Sequence, residues 1–206
     1  MRVLITQRVD ALPDRSERRD ALDQAWGNTL REILRRSVLI CPMPNRPSDV
    51  GEVVECWNPS LIVLSGGNDI CSVPERDATE TALLTRAAAD HIPILAVCRG
   101  MQKVQHFLGG DLQKMNDHVA VEHLVRSASE EALPDELLVN SFHAWGIERN
   151  ALASGLKALY LHSDGSVEAA RHVTLPWLTL MWHPERPGKG MLVANDWAGR
   201  WLREVI

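Results

Sequence analysis

Two stretches, Leu61-Ile62-Val63-Leu64 and Ile94-Leu95-Ala96-Val97, hold four consecutive apolar residues and no polar one. A strand with one wet face alternates apolar and polar positions. A strand buried on both faces reads instead as a continuous apolar run, the mark of a parallel sheet covered by helices on each side. Each run stops abruptly, the first at Ser65-Gly66-Gly67 and the second at Cys98-Arg99-Gly100. Glycines let the backbone turn sharply there. Strand, tight turn, then helix is the repeating unit of a doubly wound α/β sheet.

The rest of the chain fits that unit. Residues 3–6 read as a first strand. A polar stretch over 7–19 leads into a helix over about 20–36, with Leu22, Trp26, Leu30, Ile33 and Leu34 near helical spacing. Pro42, Pro44 and Pro47 interrupt the pattern around Cys41. An alanine-rich helix covers 79–90 and stops before Pro93. Another follows Cys98, with Met101, Val104 and Leu108 on one face and Gly109-Gly110 at its end. Strands are expected at 137–139, 158–161, 166–170 and 178–182, and a last amphipathic helix at 194–205. With 206 residues and no repeat or linker, one domain spanning 1–206 is expected.

Charge and cysteines narrow the function classes. A net charge of −5 offers no global field for nucleic acid or an anionic membrane, so neither partner is expected. No apolar stretch approaches the ~18 residues of a spanning helix, and the start lacks a signal-peptide pattern, so a cytoplasmic location is expected. Cys41, Cys56, Cys71 and Cys98 have no metal or disulfide spacing, so no cofactor is implied and the first three read as inert.

In such sheets, sites lie beyond the carboxyl ends of the strands. Cys98 occupies one such turn. Projected from a strand-to-helix elbow near helix amide groups, it reads either as a nucleophile or as a buried structural thiol. His183-Pro184-Glu185 occupies another: a histidine can take the thiol proton while a carboxylate fixes its tautomer. The third is Ser65-Gly66-Gly67-Asn68-Asp69, where Gly66 and Asn68 can approach a ligand. The amides of Gly67 and Arg99 can face a developing oxyanion. An ordinary Asn/Asp turn is the plain alternative. His118, Glu122 and His123 hint at a metal, but only His118 and Glu122 share a helical face, so polar loop and sheet residues are expected there. Trp26 and Trp145 are the tryptophans expected near the site.

Leu64-Ser65-Gly66-Gly67-Asn68-Asp69, Cys98-Arg99-Gly100-Met101-Gln102, Val139-Asn140-Ser141-Phe142-His143 and Trp182-His183-Pro184-Glu185 occur in the order seen in class I glutamine amidotransferase-like domains. The chain resembles their γ-glutamyl hydrolase branch, peptidase family C26, over almost its whole length. That resemblance implies a flavodoxin-like, mostly parallel sheet and a Cys98–His183–Glu185 triad acting on a small-molecule γ-glutamyl amide through a thioester. It also implies a Gly67/Arg99 oxyanion hole, with Gln102 and a loop of Asn140, Ser141, Phe142 and His143 holding the glutamyl part. Ala96 stands where the family usually has glycine, and backbone strain is expected there. Arg99 stands where synthetase-linked members commonly have leucine, so a synthetase partner is not expected. The Ile5-Thr6-Gln7-Arg8 start and the Trp26 helix resemble members acting on a γ-glutamyl nucleotide amidate; Arg8 and Arg19, with Arg15 and Arg18, could meet its pyrophosphate. An arginine-rich solvated helix start is the alternative, and aminobutyrate, polyamine and peptide leaving groups remain open.

Overall fold

The computed structural model describes residues 1–130 and 132–206. In chain order, β1 (Arg2–Thr6) is followed by a hairpin of β2 (Arg8–Leu12) and β3 (Glu17–Ala21). Then come α1 (Trp26–Leu34), β4 (Leu39–Met43), α2 (Val50–Trp57), β5 (Leu61–Leu64), α3 (Pro74–Asp90), β6 (Ile94–Val97) and α4 (Arg99–Phe107). The second half is richer in strand: β7 (Gln113–Lys114), β8 (Val119–Ser127), β9 (Glu136–Phe142), β10 (Trp145–Gly146), β11 (Leu156–His162), β12 (Val167–His172) and β13 (Trp177–Leu180), then α5 (Met191–Val205).

The central sheet runs β4-β1-β5-β6-β13-β12-β11-β8-β9. From β4 to β13 every pairing is parallel, and these five strands stand in the flavodoxin-like order 2-1-3-4-5. From β13 to β9 every pairing is antiparallel. The two apolar runs, β5 and β6, lie side by side in the middle. Their alternate residues serve two separate cores. Leu61, Val63, Leu95 and Val97 pack with Leu30, Ile33 and Trp197 of α1 and α5. Ile62, Leu64, Ile94 and Ala96 pack with Val54, Leu84 and Met101 of α2, α3 and α4. Each such valine, leucine, isoleucine or methionine contributes about 1.5–3 kcal/mol when fully buried. The expected doubly wound sheet is therefore present, extended by an antiparallel half.

Several local expectations are corrected. The 7–36 segment is a hairpin followed by a shorter helix. Asp10 stands opposite Arg19 across the hairpin, while Arg8 faces Ala21 and Asp20 faces Val9. Asn45 and Asn68 tether the hairpin to the body through Asp20 and the Val9 backbone. The prolines around Cys41 do not prevent β4, because it is an edge strand and Pro42 can do without an N–H there. α3 begins at Pro74 rather than 79, since proline suits the first helical position. α2 and β8 were not foreseen; β8 leaves Val119–Glu122 exposed, so no apolar alternation signals it.

Candidate active site

Cys98 lies between β6 and α4 with φ +51° and ψ −107°. A residue with a β-carbon adopts this conformation at a cost of about 1–3 kcal/mol, so the surroundings must impose it. Its N–H donates to the Leu180 carbonyl at 2.7 Å, and its carbonyl accepts from Gln102 N–H at 3.1 Å. A β-carbon at Gly100 would stand 2.2 Å from the Leu64 carbonyl oxygen, so only glycine lets α4 approach β5 this closely. The strain expected at Ala96 is absent. Ala96 is an ordinary strand residue paired with Leu64 and Thr179, and the strained backbone belongs to Cys98.

His183 follows β13, and its Nδ1 is 2.7 Å from Glu185 Oε1. Both side chains are buried. Burial by itself would lower the imidazole pKa, but hydrogen bonds to the Cys98 sulfur and to Glu185 overcome it and hold His183 up at about 9. Asn140 fixes the segment from β9, the edge strand of the antiparallel half. Its Oδ1 accepts from His183 N–H at 2.9 Å, and its Nδ2 donates to the carbonyls of His183 at 2.9 Å and Arg186 at 3.1 Å. Phe142 meets the imidazole edge-on with centroids 5.8 Å apart, and the Arg186 guanidinium lies over the Phe142 ring at 4.6 Å.

The Ser65–Gly67 turn is held from behind by Arg76, a residue the sequence did not single out. Its guanidinium donates to the carbonyls of Ser65, Gly66 and Gly67 at 2.8, 3.0 and 3.0 Å. In a trans peptide the next N–H points opposite to the carbonyl, so the amides of Gly66, Gly67 and Asn68 face away from Arg76. Gly66 and Gly67 line the cleft, and Gly67 has φ +92°. Arg76 also pairs with Glu80 at 3.1 Å, and Arg99 pairs with Glu80 and, at 2.5 Å, with Asp77. Burial lowers the pKa of Arg76 to about 10 and of Arg99 to about 9, which leaves both cationic at neutral pH. The Arg99 side chain therefore belongs to this ionic network, and only its backbone is beside Cys98. An i,i+4 Arg–Glu pair reads in sequence as a surface feature, so the pattern around Arg76 carries no sign of its buried role.

The cleft above these groups encloses about 240 Å³, lined by Arg8, Leu22, Trp26, Gly66, Gly67, His183, Glu185 and Arg186 among others. Several predicted contacts are engaged elsewhere. Asn68 bonds both backbone groups of Val9, and Gln102 donates to the Trp145 carbonyl at 2.8 Å. Ser141 donates to the His118 carbonyl at 2.7 Å. Asn140, Ser141 and Phe142 belong to β9 rather than to a loop. His143 turns into a buried cluster with His118 and Glu168. Of the arginine segment, Arg8 borders the cleft; Arg15, Arg18 and Arg19 do not, Arg18 being paired with Glu75 and Arg19 with Glu17. Trp26 lines the cleft and Trp145 does not. Cys41, Cys56 and Cys71 are free thiols, with burial raising the Cys41 pKa. No helix among the described residues is long and apolar enough to cross a membrane.

The peptidase C26 family model matches residues 65–185. The γ-glutamyl-CDP-amidate hydrolase of Campylobacter jejuni is 28% identical over 204 residues, covering 94% of this chain and 95% of its own. Two solved structures share the fold. A protein proposed to be a GMP synthase component from Thermoplasma acidophilum superposes with a TM-score of 0.73 at 20% identity, covering 100% of this chain and 93% of its own. A glutamine amidotransferase from Thermotoga maritima reaches 0.64 at 18% identity, covering 98% and 88%.

Proposed function

This chain belongs to the peptidase C26 family, and from that premise we propose that it hydrolyses a γ-glutamyl amide with Cys98, His183 and Glu185 as its catalytic trio. Family and fold make it a glutamine amidotransferase-like hydrolase. The observation that carries the residue roles is Cys98 in its strained elbow, beside a His183 whose far nitrogen is bonded to Glu185 at 2.7 Å.

In this reading the Cys98 thiolate attacks the γ-carbonyl carbon and the carbonyl electrons move onto oxygen. The amides of Gly67 and Arg99 bond that oxyanion, aided by the positive end of α4. The C–N bond then breaks, and the leaving nitrogen takes the proton held by His183. His183 next accepts a proton from water, which attacks the thioester carbonyl. Glutamate leaves and the thiolate is restored. Glu185 keeps the imidazole in one tautomer and stabilises its charged form. Asn140 positions His183 through its backbone, and Arg76 positions the oxyanion turn through its carbonyls.

For the leaving group we favour a cytidine diphosphoramidate, released from γ-glutamyl-CDP-amidate. Two features support it: likeness to a γ-glutamyl-CDP-amidate hydrolase along nearly the whole of both chains, and guanidiniums at Arg8 and Arg186 on the cleft rim. Arginine forks match phosphate oxygens in geometry and charge. The test is glutamate release by wild type and Cys98→Ala from glutamine, γ-glutamyl-aminobutyrate and γ-glutamyl-CDP-amidate. Cysteine-dependent release that is fastest from the nucleotide supports the full reading. Release from the aminobutyrate adduct alone moves the substrate, and release from glutamine only with an added partner protein replaces it with a glutaminase role inside a larger synthetase. Undiminished release by Cys98→Ala would overturn the trio.

A further inference from the structure

On the antiparallel half of the sheet, four buried side chains converge away from the cleft: His118 and His123 at the start of and within β8, His143 just after β9, and Glu168 on β12. We propose that they bind one divalent transition-metal ion, zinc by the chemistry of the donors, in a closed structural site. Such a site is independent of the hydrolase reading.

The protons of two rings are fixed from outside. His118 Nε2 is 2.8 Å from Asp164 Oδ2, and that carboxylate is kept ionised by bonds from Ser166 N–H and Oγ, so Nε2 is the protonated nitrogen. His143 Nδ1 is 3.0 Å from the Trp145 carbonyl, which can only accept, so Nδ1 carries that proton. The remaining nitrogens, His118 Nδ1 and His143 Nε2, then present lone pairs to each other at 3.2 Å. Glu168 Oε1 lies 3.6 Å from the first and 3.5 Å from the second, and its Oε2 lies 3.5 Å from His123 Nε2. Among the described residues, His123 Nε2 and Glu168 Oε2 make no hydrogen bond although they are buried.

Converging lone pairs on buried side chains call for a positive centre. One extra proton can bridge two of these atoms and leaves the others unsatisfied, whereas a metal ion serves them all. Zinc bonds of about 2.0–2.1 Å set tetrahedral ligand atoms roughly 3.3 Å apart. His118 Nδ1, His143 Nε2 and Glu168 Oε1 stand 3.2 to 3.6 Å from one another, and His123 Nε2 is 3.5 Å from Glu168 Oε2. One ligand atom from each of the four residues falls within 4.8 Å of the others, a set that closes around an ion with a small inward move of His123. Imidazole donors with one carboxylate suit zinc or its transition-metal neighbours rather than calcium or magnesium. Asp164 and the Trp145 carbonyl are the outer groups that orient two of the histidines. The ion would join β8, β9 and β12, and two bonds carry that rigidity toward Cys98 and His183: Gln102 on α4 to the Trp145 carbonyl, and Met181 N–H to the Glu168 carbonyl.

The test uses full-length protein without a histidine tag. Elemental analysis of the gel-filtered wild type should find about one zinc per chain. After chelation, adding zinc at a hundredfold excess over Kd should raise Tm by about 5–10 °C. Cobalt(II) added to the chelated protein should give the visible absorption of a tetrahedral ion. Glu168→Gln should lose the metal. Asp164→Asn, a change at a half-exposed side chain that leaves all four ligands in place, should weaken binding about 10–100-fold. Cys98→Ala should bind normally. Absence of metal in the purified wild type, with no response of the chelated protein to zinc or cobalt, would overturn the proposal. So would full metal retention by folded Glu168→Gln, or loss of metal in Cys98→Ala, which would place the ion at the cleft instead.

Discussion

The sheet carries two assemblies of histidine and carboxylate, and they are built in opposite ways. On the parallel side, His183 is bonded through Nδ1 to Glu185 at 2.7 Å and lies beside Cys98, and the group opens onto a cleft. On the antiparallel side, His118, His123 and His143 enclose Glu168 and present only buried atoms. Protonation follows the surroundings. Despite its burial, His183 is held up at about 9 by hydrogen bonds to Cys98 and Glu185, whereas burial pushes His118 below its ordinary value. The difference is one of topology. Parallel strands end in turns that lead into helices, leaving strained positions such as Cys98 next to cleft-lining groups such as His183. Antiparallel neighbours keep their side chains in register with one another and can bury a complete shell of them.

That contrast is open to attack, first at the nucleophile. Cys98→Ala should cut glutamate release about 10⁴-fold or more while leaving Tm nearly unchanged; a modest loss of rate would end the distinction between a reactive and a structural half. Glu185→Gln comes next, with a fall of about 10³–10⁴-fold in kcat. It also tests charge. Because Glu185 raises the His183 pKa, the substitution should move the alkaline limb of the rate profile from about 9 to lower pH. Stability carries the same sign. A group whose folded pKa is raised contributes fully below its ordinary value of 6.5 and loses that contribution as pH rises through about 9. Urea denaturation across that window should show a decline in wild type and a shallower one in Glu185→Gln.

Arg76→Met asks whether the oxyanion turn is positioned from behind. Removing the cation should lower kcat about 100-fold with KM little changed, through misplaced amides. It should also destabilise by about 3–5 kcal/mol, since Glu80 loses one of its two arginine partners in a buried network and the carbonyls of Ser65, Gly66 and Gly67 lose their donor. A stability loss with unchanged kcat would make Arg76 a purely structural residue. The smallest effect is expected for Arg8→Ala, whose guanidinium is half-exposed on the cleft rim. KM for the nucleotide substrate should rise about 10-fold, with γ-glutamyl-aminobutyrate unaffected. Equal changes for both substrates would remove the phosphate-binding role.

Much of the parallel half was legible along the chain. Continuous apolar runs and glycine turns are local signals, and they located β5, β6, the Cys98 elbow and the Ser65–Gly67 turn. The 7–21 hairpin was not legible, because its charges pair two residues apart along each strand, Arg8 with Asp10 and Arg19 with Glu17, and its few apolar residues do not alternate strictly enough to mark a strand. Gln102, Ser141 and His143 lie within recognisable motifs, yet their side chains bond to backbone carbonyls or to the buried cluster instead of lining the cleft. No spacing rule reports a side chain's direction when its partners lie tens of residues away.

By itself, then, the sequence determined the sheet's parallel centre and the order of its chemical turns, because burial on both faces and sharp turning are properties of neighbouring residues. Only the tertiary structure decided that Arg76 would hold the carbonyls of Ser65, Gly66 and Gly67, that Asn140 would clamp His183, and that His118, His123, His143 and Glu168 would meet. Most of those contacts join residues from 9 to more than 40 positions apart, and strand order and helix packing, not periodicity, set the distance between them.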